Sequence, residues 1–139
     1  NIDTVIGKFE QKLNSLAMSS YEQRQIHLER GKKTLNEVYA KICYTPVSQL
    51  YKTEYDVNFE IDGIKFYGRV DRIDENSDGT LIIYDYKTGS AKKPKDICEG
   101  GEHEDYYNQI GLYKYFIEKA TGKTVKETIF LFPEEYEGN

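Results

Sequence analysis

The stretch from Gly68 to Gly89, GRVDRIDENSDGTLIIYDYKTG, constrains this chain more than any other part of it. It reads as two β-strands joined by a turn at residues 75–79, Glu-Asn-Ser-Asp-Gly. Asp71 stands near the end of the first strand; Asp85 and Lys87 stand near the end of the second. Alternate side chains of a strand share a face, so Asp85 and Lys87 point the same way. Antiparallel pairing around the turn can set Asp71 opposite them. Two carboxylates and an ammonium then converge on one patch. Paired carboxylates suit a hard divalent cation, and a neighbouring lysine can position a water or offset developing negative charge. The chemistry expected of such a patch is metal-dependent phosphodiester hydrolysis.

The rest of the chain supplies a scaffold for that hairpin. Val5, Ile6, Phe9, Leu13 and Leu16 recur at helical spacing and predict a short helix within residues 1–18. Ser19-Ser20 offers an N-cap to a long helix from about Tyr21 to Tyr44, with Ile26, Leu35, Val38, Tyr39 and Ile42 on its apolar side. Arg24, Arg30, Lys32, Lys33 and Lys41 form a basic face, which is either a solvated surface or a phosphate contact. Pro46 ends this region. Residues 50–61, LYKTEYDVNFEI, alternate with period two and predict a strand. Asp62-Gly63 signals a type I′ hairpin turn, followed by strands from about Ile64 to Asp74 and from Leu81 to Lys87. Residues 88–103 read as a long loop. Its Lys92 and Lys93, with Lys95, belong either to an ordinary flexible loop or to a basic flap over a nucleic-acid backbone. A second helix over residues 104–121 carries an apolar stripe of Ile110, Tyr113, Phe116, Ile117 and Ala120. Gly122 suits its C-terminal cap, and residues 126–132 form a last strand. A β-α-β crossover makes that strand parallel to its predecessor. The fold class is therefore α/β, a mixed four-stranded sheet with helices packed on it.

A length of 139 residues fits a single domain with its own core. The formal charge of −5 argues against a surface that is basic throughout, though not against a local basic path. Cys43 and Cys98 are too few and too far apart for a disulfide framework or a thiolate metal site, and a reducing cytoplasm is the expected compartment. No stretch has the length and apolarity of a membrane span, and no signal peptide is visible. The chain opens on Asn and closes on unpatterned residues, as a piece of a longer protein would.

Three motifs, in this order, resemble those of the PD-(D/E)xK nuclease superfamily and, within it, the RecB-like nuclease domains of RecB, AddB and UvrD/Rep-type helicases. Gly68-Arg69-Val70-Asp71-Arg72-Ile73-Asp74 is similar to the family's G-x-x-D-x-x-D strand. Asp85-Tyr86-Lys87-Thr88-Gly89 is similar to its D-Y-K-T/S motif, and Gln109 with Tyr113 to its Q-x-x-x-Y helix. The resemblance covers about residues 21–132 and implies a restriction-endonuclease-like αβββαβ core. It implies a Mg²⁺ or Mn²⁺-dependent deoxyribonuclease, exonucleolytic and attached to a helicase in DNA repair or recombination. DNA, as single strands or duplex ends, is the implied partner, together with a helicase domain.

Carried over residue by residue, the resemblance implies that Asp71 and Asp85 are metal ligands, with the Tyr86 main-chain carbonyl touching the metal. Lys87 would orient the attacking water. Gln109 and Tyr113 would brace the site or contact DNA, and Glu54 aligns with an acidic position common in these nucleases. Asp74 is expected to form a salt bridge or cap a turn. RecB-like enzymes add a histidine ligand on a helix well upstream of the strands. His27 is the only upstream histidine here and is expected to be a surface residue, which places the family's histidine outside this sequence. The iron–sulfur cysteines of some relatives have no counterpart, so no such cluster is expected. Exposed tyrosines could stack on single-strand bases. The alternative is a non-catalytic DNA-binding or helicase-interaction module with a nuclease fold.

Overall fold

The computed structural model describes residues 1–17, 20–42 and 48–133, with the side chains of 39–42 left aside. The expected helix end at Pro46, Cys43 and the acidic tail after Pro133 lie outside the described residues. Contacts divide the chain into two compact units, Asn1–Thr45 with Pro133–Asn139, and Pro46–Phe132.

The first unit is built on two helices. Helix α1 spans Ile2–Ser15 and begins where the Asn1 side chain accepts the Asp3 N–H. Helix α2 spans Tyr21–Ile42. Ser20 is its N-cap, the Oγ accepting the Gln23 N–H at 3.1 Å. The two helices approach closely at Gly31, where the Phe9 ring occupies the space a β-carbon would need. Arg24 donates from its guanidinium to the Leu13 and Leu16 carbonyls, so it satisfies acceptors that the last turn of α1 leaves open. Lys32 pairs with Glu10 across the helices, and Lys33 with Glu37 along α2. Much of the expected basic face is thus engaged within this unit. Ile26, expected on the apolar side of α2, is 62 % exposed, whereas Val38, expected on the same side, is buried.

The second unit is a mixed sheet with one helix on it. Strands β1 (Ser48–Ile61), β2 (Ile64–Asn76), β3 (Leu81–Tyr86) and β4 (Val125–Leu131) lie in the order β1-β2-β3-β4. The first three form an antiparallel meander, and β4 runs parallel to β3, as the crossover requires. Asp62 and Gly63 both have positive φ, 51° and 79°, the type I′ geometry whose twist matches the strands it joins. Two departures from regularity fall on β1. The register shifts between Leu50 and Lys52, and Glu54 adopts φ 48° in mid-strand, between the pairs Thr53↔Arg72 and Tyr55↔Val70.

Helix α3 spans Glu104–Thr121 and ends at Gly122, whose φ of 68° is the left-handed cap. Phe116 anchors it to the sheet, stacked on Phe59 at 4.5 Å between centroids and tilted against Phe66. Around it Val57, Val70, Ile73, Leu81, Ile83, Ile117 and Val125 form the core. Burying each such side chain stabilises the fold by roughly 1.5–3 kcal/mol. Ala120, expected in the buried stripe, is exposed. The packed side of α3 is turned toward Tyr106, Gln109 and Tyr113, and at its last turn Glu118 accepts the Val125 N–H. The loop of residues 88–103 contains a short 3-10 turn, Pro94–Asp96, and closes on itself through the His103 N–H to Asp96 carbonyl bond.

Candidate active site

The site forms where β2 and β3 part. Their ladder ends at Arg72↔Tyr84. One step further the Tyr86 N–H donates not to a strand carbonyl but to Asp71 Oδ2, at 2.7 Å. On its other side β3 stays paired, with Tyr86↔Leu131 and the Lys87 N–H donating to the Leu131 carbonyl. The Asp71 carboxylate therefore sits in the fork between the strands, fixed by the main chain of the residue between Asp85 and Lys87.

Asp85 reaches the same place by a different logic. Leu81, Ile83 and Asp85 succeed one another on the buried face of β3, and Asp85 is only 4 % exposed. It extends an apolar stripe, and burial raises its pKa above the ordinary aspartate range; Lys87 opposes that shift and the charge of Asp71 adds to it. The Lys87 ammonium lies 2.8 Å from Asp85 Oδ2. This contact is ionic: Oδ2 is buried without a well-aligned hydrogen bond. A desolvated carboxylate with an unfilled acceptor, beside a second carboxylate, suits a hard divalent cation. Among the described residues no group of three or more His, Cys, Asp or Glu comes together. The fit is thus to a cation that takes two carboxylates and keeps waters, as Mg²⁺ does.

Lys87 is held from α3. Its Nζ donates to Gln109 Oε1 at 2.7 Å, Gln109 Nε2 donates to Tyr113 Oη at 3.0 Å, and the Tyr113 hydroxyl donates to the Arg69 carbonyl at 2.9 Å. This line has one direction. The Tyr113 proton is committed to a main-chain acceptor, so its oxygen must accept, and the Gln109 amide is turned with its oxygen toward Lys87. Gly68 makes the contact geometrically possible: a β-carbon there would stand 3.3 Å from Tyr113 Cε1. The first glycine of the G-x-x-D strand and the tyrosine of the Q-x-x-x-Y helix are therefore packing partners.

Two rings complete the surroundings of Lys87. Its ammonium lies 4.8 Å from the centroid of Tyr106 and 5.3 Å from that of Phe130, distances at which a cation is drawn to an aromatic face. Sequence reasoning missed both. Tyr106 was within reach, three residues before Gln109 on the same helix face. Phe130 becomes visible only once β4 is registered on β3, where it lies across from Asp85.

The remaining expected residues lie elsewhere. Glu54 is exposed and pairs with Arg69, which also binds Asp56 at 2.7 Å. Lys92 and Lys93 lie at the start of the loop, and no described contact joins either to the Asp71–Asp85 pair. Asp74, 1 % exposed, forms a two-pronged salt bridge with Arg72 at 2.6 Å and accepts from Ser48 Oγ, so it is structural, as its position past the motif aspartate implied. His27 is exposed. Among the described residues no helix is long and apolar enough to cross a membrane.

Comparison with known families adds an independent finding. The family model for the PD-(D/E)XK nuclease superfamily matches residues 4–137. A search of curated proteins found no match.

Proposed function

This chain belongs to the PD-(D/E)XK nuclease superfamily, and from that premise we propose that it is a divalent-metal-dependent deoxyribonuclease domain of the RecB-like branch. It acts as an exonuclease attached to a DNA helicase, in cytoplasmic DNA repair or recombination. The whole chain serves as one nuclease domain of a longer protein. The observation that carries the reading is the directed line from Asp85 through Lys87, Gln109 and Tyr113 to the Arg69 carbonyl, because a surface ion pair has no need of three further groups to aim it.

Asp71, Asp85 and the Tyr86 carbonyl are the groups that would hold Mg²⁺ or Mn²⁺. When bound, the ion supplies a water of lowered pKa and charge against the phosphoryl oxygens. Asp71 is already aimed by the Tyr86 N–H, so little conformational freedom remains to be lost when it is used. Lys87, turned by Gln109 and flanked by the Tyr106 and Phe130 rings, orients the attacking water and offsets the charge gathering on the phosphate. Contacts to phosphates carry no sequence information, so cleavage has low sequence preference.

The test is cleavage of linear and circular single strands by the full chain with Mg²⁺ or Mn²⁺. Metal-dependent shortening of linear strands alone, reduced about a hundredfold or more by Asp85→Asn and by Lys87→Ala, is the expected result. The second reading, a non-catalytic module, is favoured by the absence of a third acidic or histidine ligand among the described residues. Binding of DNA without cleavage and without metal uptake by calorimetry would favour it.

A further inference from the structure

The Lys87 side chain is only 18 % exposed, so its ammonium depends on protein groups for what water no longer supplies. Asp85 stands 2.8 Å away as its counter-ion, and Gln109 Oε1 accepts at 2.7 Å. Two rings from different elements also face it: Tyr106 of α3, with its centroid at 4.8 Å, and Phe130 of β4, at 5.3 Å. These rings touch each other, 5.1 Å apart and tilted by 43°. Both are themselves fixed. The His103 ring stacks on Tyr106 at 5.8 Å, and the parallel pairing of β4 with β3 sets Phe130 across from Asp85. The ammonium is thus cornered from helix and sheet at once.

Resting on the nuclease reading, we propose that Tyr106 and Phe130 are positioning residues: they hold the Lys87 ammonium in place once Asp85 serves as a metal ligand. The Asp85 oxygen that faces Lys87 is the one buried without a well-aligned hydrogen bond. Its use as a ligand withdraws that carboxylate from Lys87 and sets two cations against each other. Lys87 would then rest on one neutral hydrogen bond, from Gln109, at the end of a flexible four-carbon stem. A ring face attracts a cation through its quadrupole, and most strongly where the cation is desolvated. Such a face carries no net charge and no oxygen for a hard ion. It therefore neither neutralises the ammonium nor competes for the metal, as a further carboxylate would.

The experiment reads Lys87 without metal and without DNA. Asp85→Asn removes the charge of the counter-ion, and acylation of the full chain by N-hydroxysuccinimidyl acetate, followed by mass spectrometry, measures how readily Lys87 reaches the reagent. In Asp85→Asn alone Lys87 is expected to label slowly. Adding Tyr106→Leu or Phe130→Leu is expected to quicken it about tenfold, whereas adding Tyr106→Phe, which keeps the ring, leaves it slow. Lys123, ion-paired with Glu75, is the internal reference: a loosened fold quickens both lysines, and loss of a ring quickens Lys87 alone. Equal Lys87 rates with and without those substitutions overturn the proposal. So does a rise matched by Lys123, which makes the rings packing groups only. With Asp85 intact, Tyr106→Leu is expected to lower kcat for oligonucleotide cleavage about tenfold at little changed KM, and Tyr106→Phe to restore it; a kcat as low in Tyr106→Phe counts against the rings. The labelling pattern in a chain that never cleaves removes the nuclease reading alone, and cleavage with equal labelling removes the role of the rings alone.

Discussion

The Tyr113 hydroxyl, on α3, donates to the Arg69 carbonyl, on β2, at 2.9 Å, and through Gln109 this single bond sets the direction in which Lys87 is held. Tyr113→Phe keeps the ring and removes the anchor. Loss of one partly buried hydrogen bond lowers stability by about 1 kcal/mol. The larger expected effect is on kcat for oligonucleotide cleavage, which falls about tenfold while KM is little changed, because a freed Gln109 amide no longer fixes the ammonium. Steady-state kinetics beside a thermal melt check both halves.

Gly68 is the counterpart of that bond. With Tyr113 Cε1 only 3.3 Å from the position of an added β-carbon, a branched side chain must push the ring away. Gly68→Val is expected to destabilise the fold by about 1–3 kcal/mol. Gly68→Val combined with Tyr113→Ala should lose less than the sum of the separate losses, because the clash has gone. Urea unfolding of the four forms supplies the cycle.

Asp85 gives the metal-free chain a pH dependence of defined sign. Burial raises its folded pKa above the unfolded value. The fold therefore holds this proton more tightly than the unfolded chain does. The resulting stability is fully present below the unfolded pKa and is lost as pH rises through the folded one. In melts without metal, the unmodified chain should lose stability relative to Asp85→Asn as pH rises from the ordinary aspartate range into the raised one. Added Mg²⁺ or Mn²⁺ should then raise the melting temperature of the unmodified chain only.

The two aspartates of the G-x-x-D-x-x-D strand should separate by substitution. Asp74 is buried and braced by Arg72, whose own pKa is raised chiefly by that hydrogen-bonded carboxylate. Asp74→Ala leaves the guanidinium without its partner and is expected to cost about 3–5 kcal/mol, with little change in metal affinity for the fraction that folds. Asp71→Asn should do the reverse, weakening Mn²⁺ binding by calorimetry while the fold is largely kept.

How much of this was legible beforehand depends on whether the cause was local. The turn at Asp62-Gly63 and the stop at Gly122 were readable because left-handed backbone restricts the choice of residue at once. The ends of α3 followed from the glycines around it. The strand ends were less so: β1 begins at Ser48 and β2 runs on to Asn76, because cross-strand pairing continued where the apolar alternation had stopped. Asp71, Asp85 and Lys87 were found by alternation and order. The rings around Lys87, the Gly68–Tyr113 contact and the division into two units depend on residues far apart in the chain, and single-sequence periodicity does not report those.

The irregularities of β1 have a consequence for how this protein behaves in a crowded solution. β1 is fourteen residues long and, among the described residues, pairs only with β2. A straight strand of that length at a sheet margin would be a template for another chain. The register shift near Tyr51 and the left-handed backbone of Glu54 interrupt its regular row of donors and acceptors. The exposed charges of Lys52, Glu54, Asp56 and Glu60 make a stranger's approach unfavourable. Straightening β1 at Glu54 is expected to leave a longer regular edge and to raise aggregation.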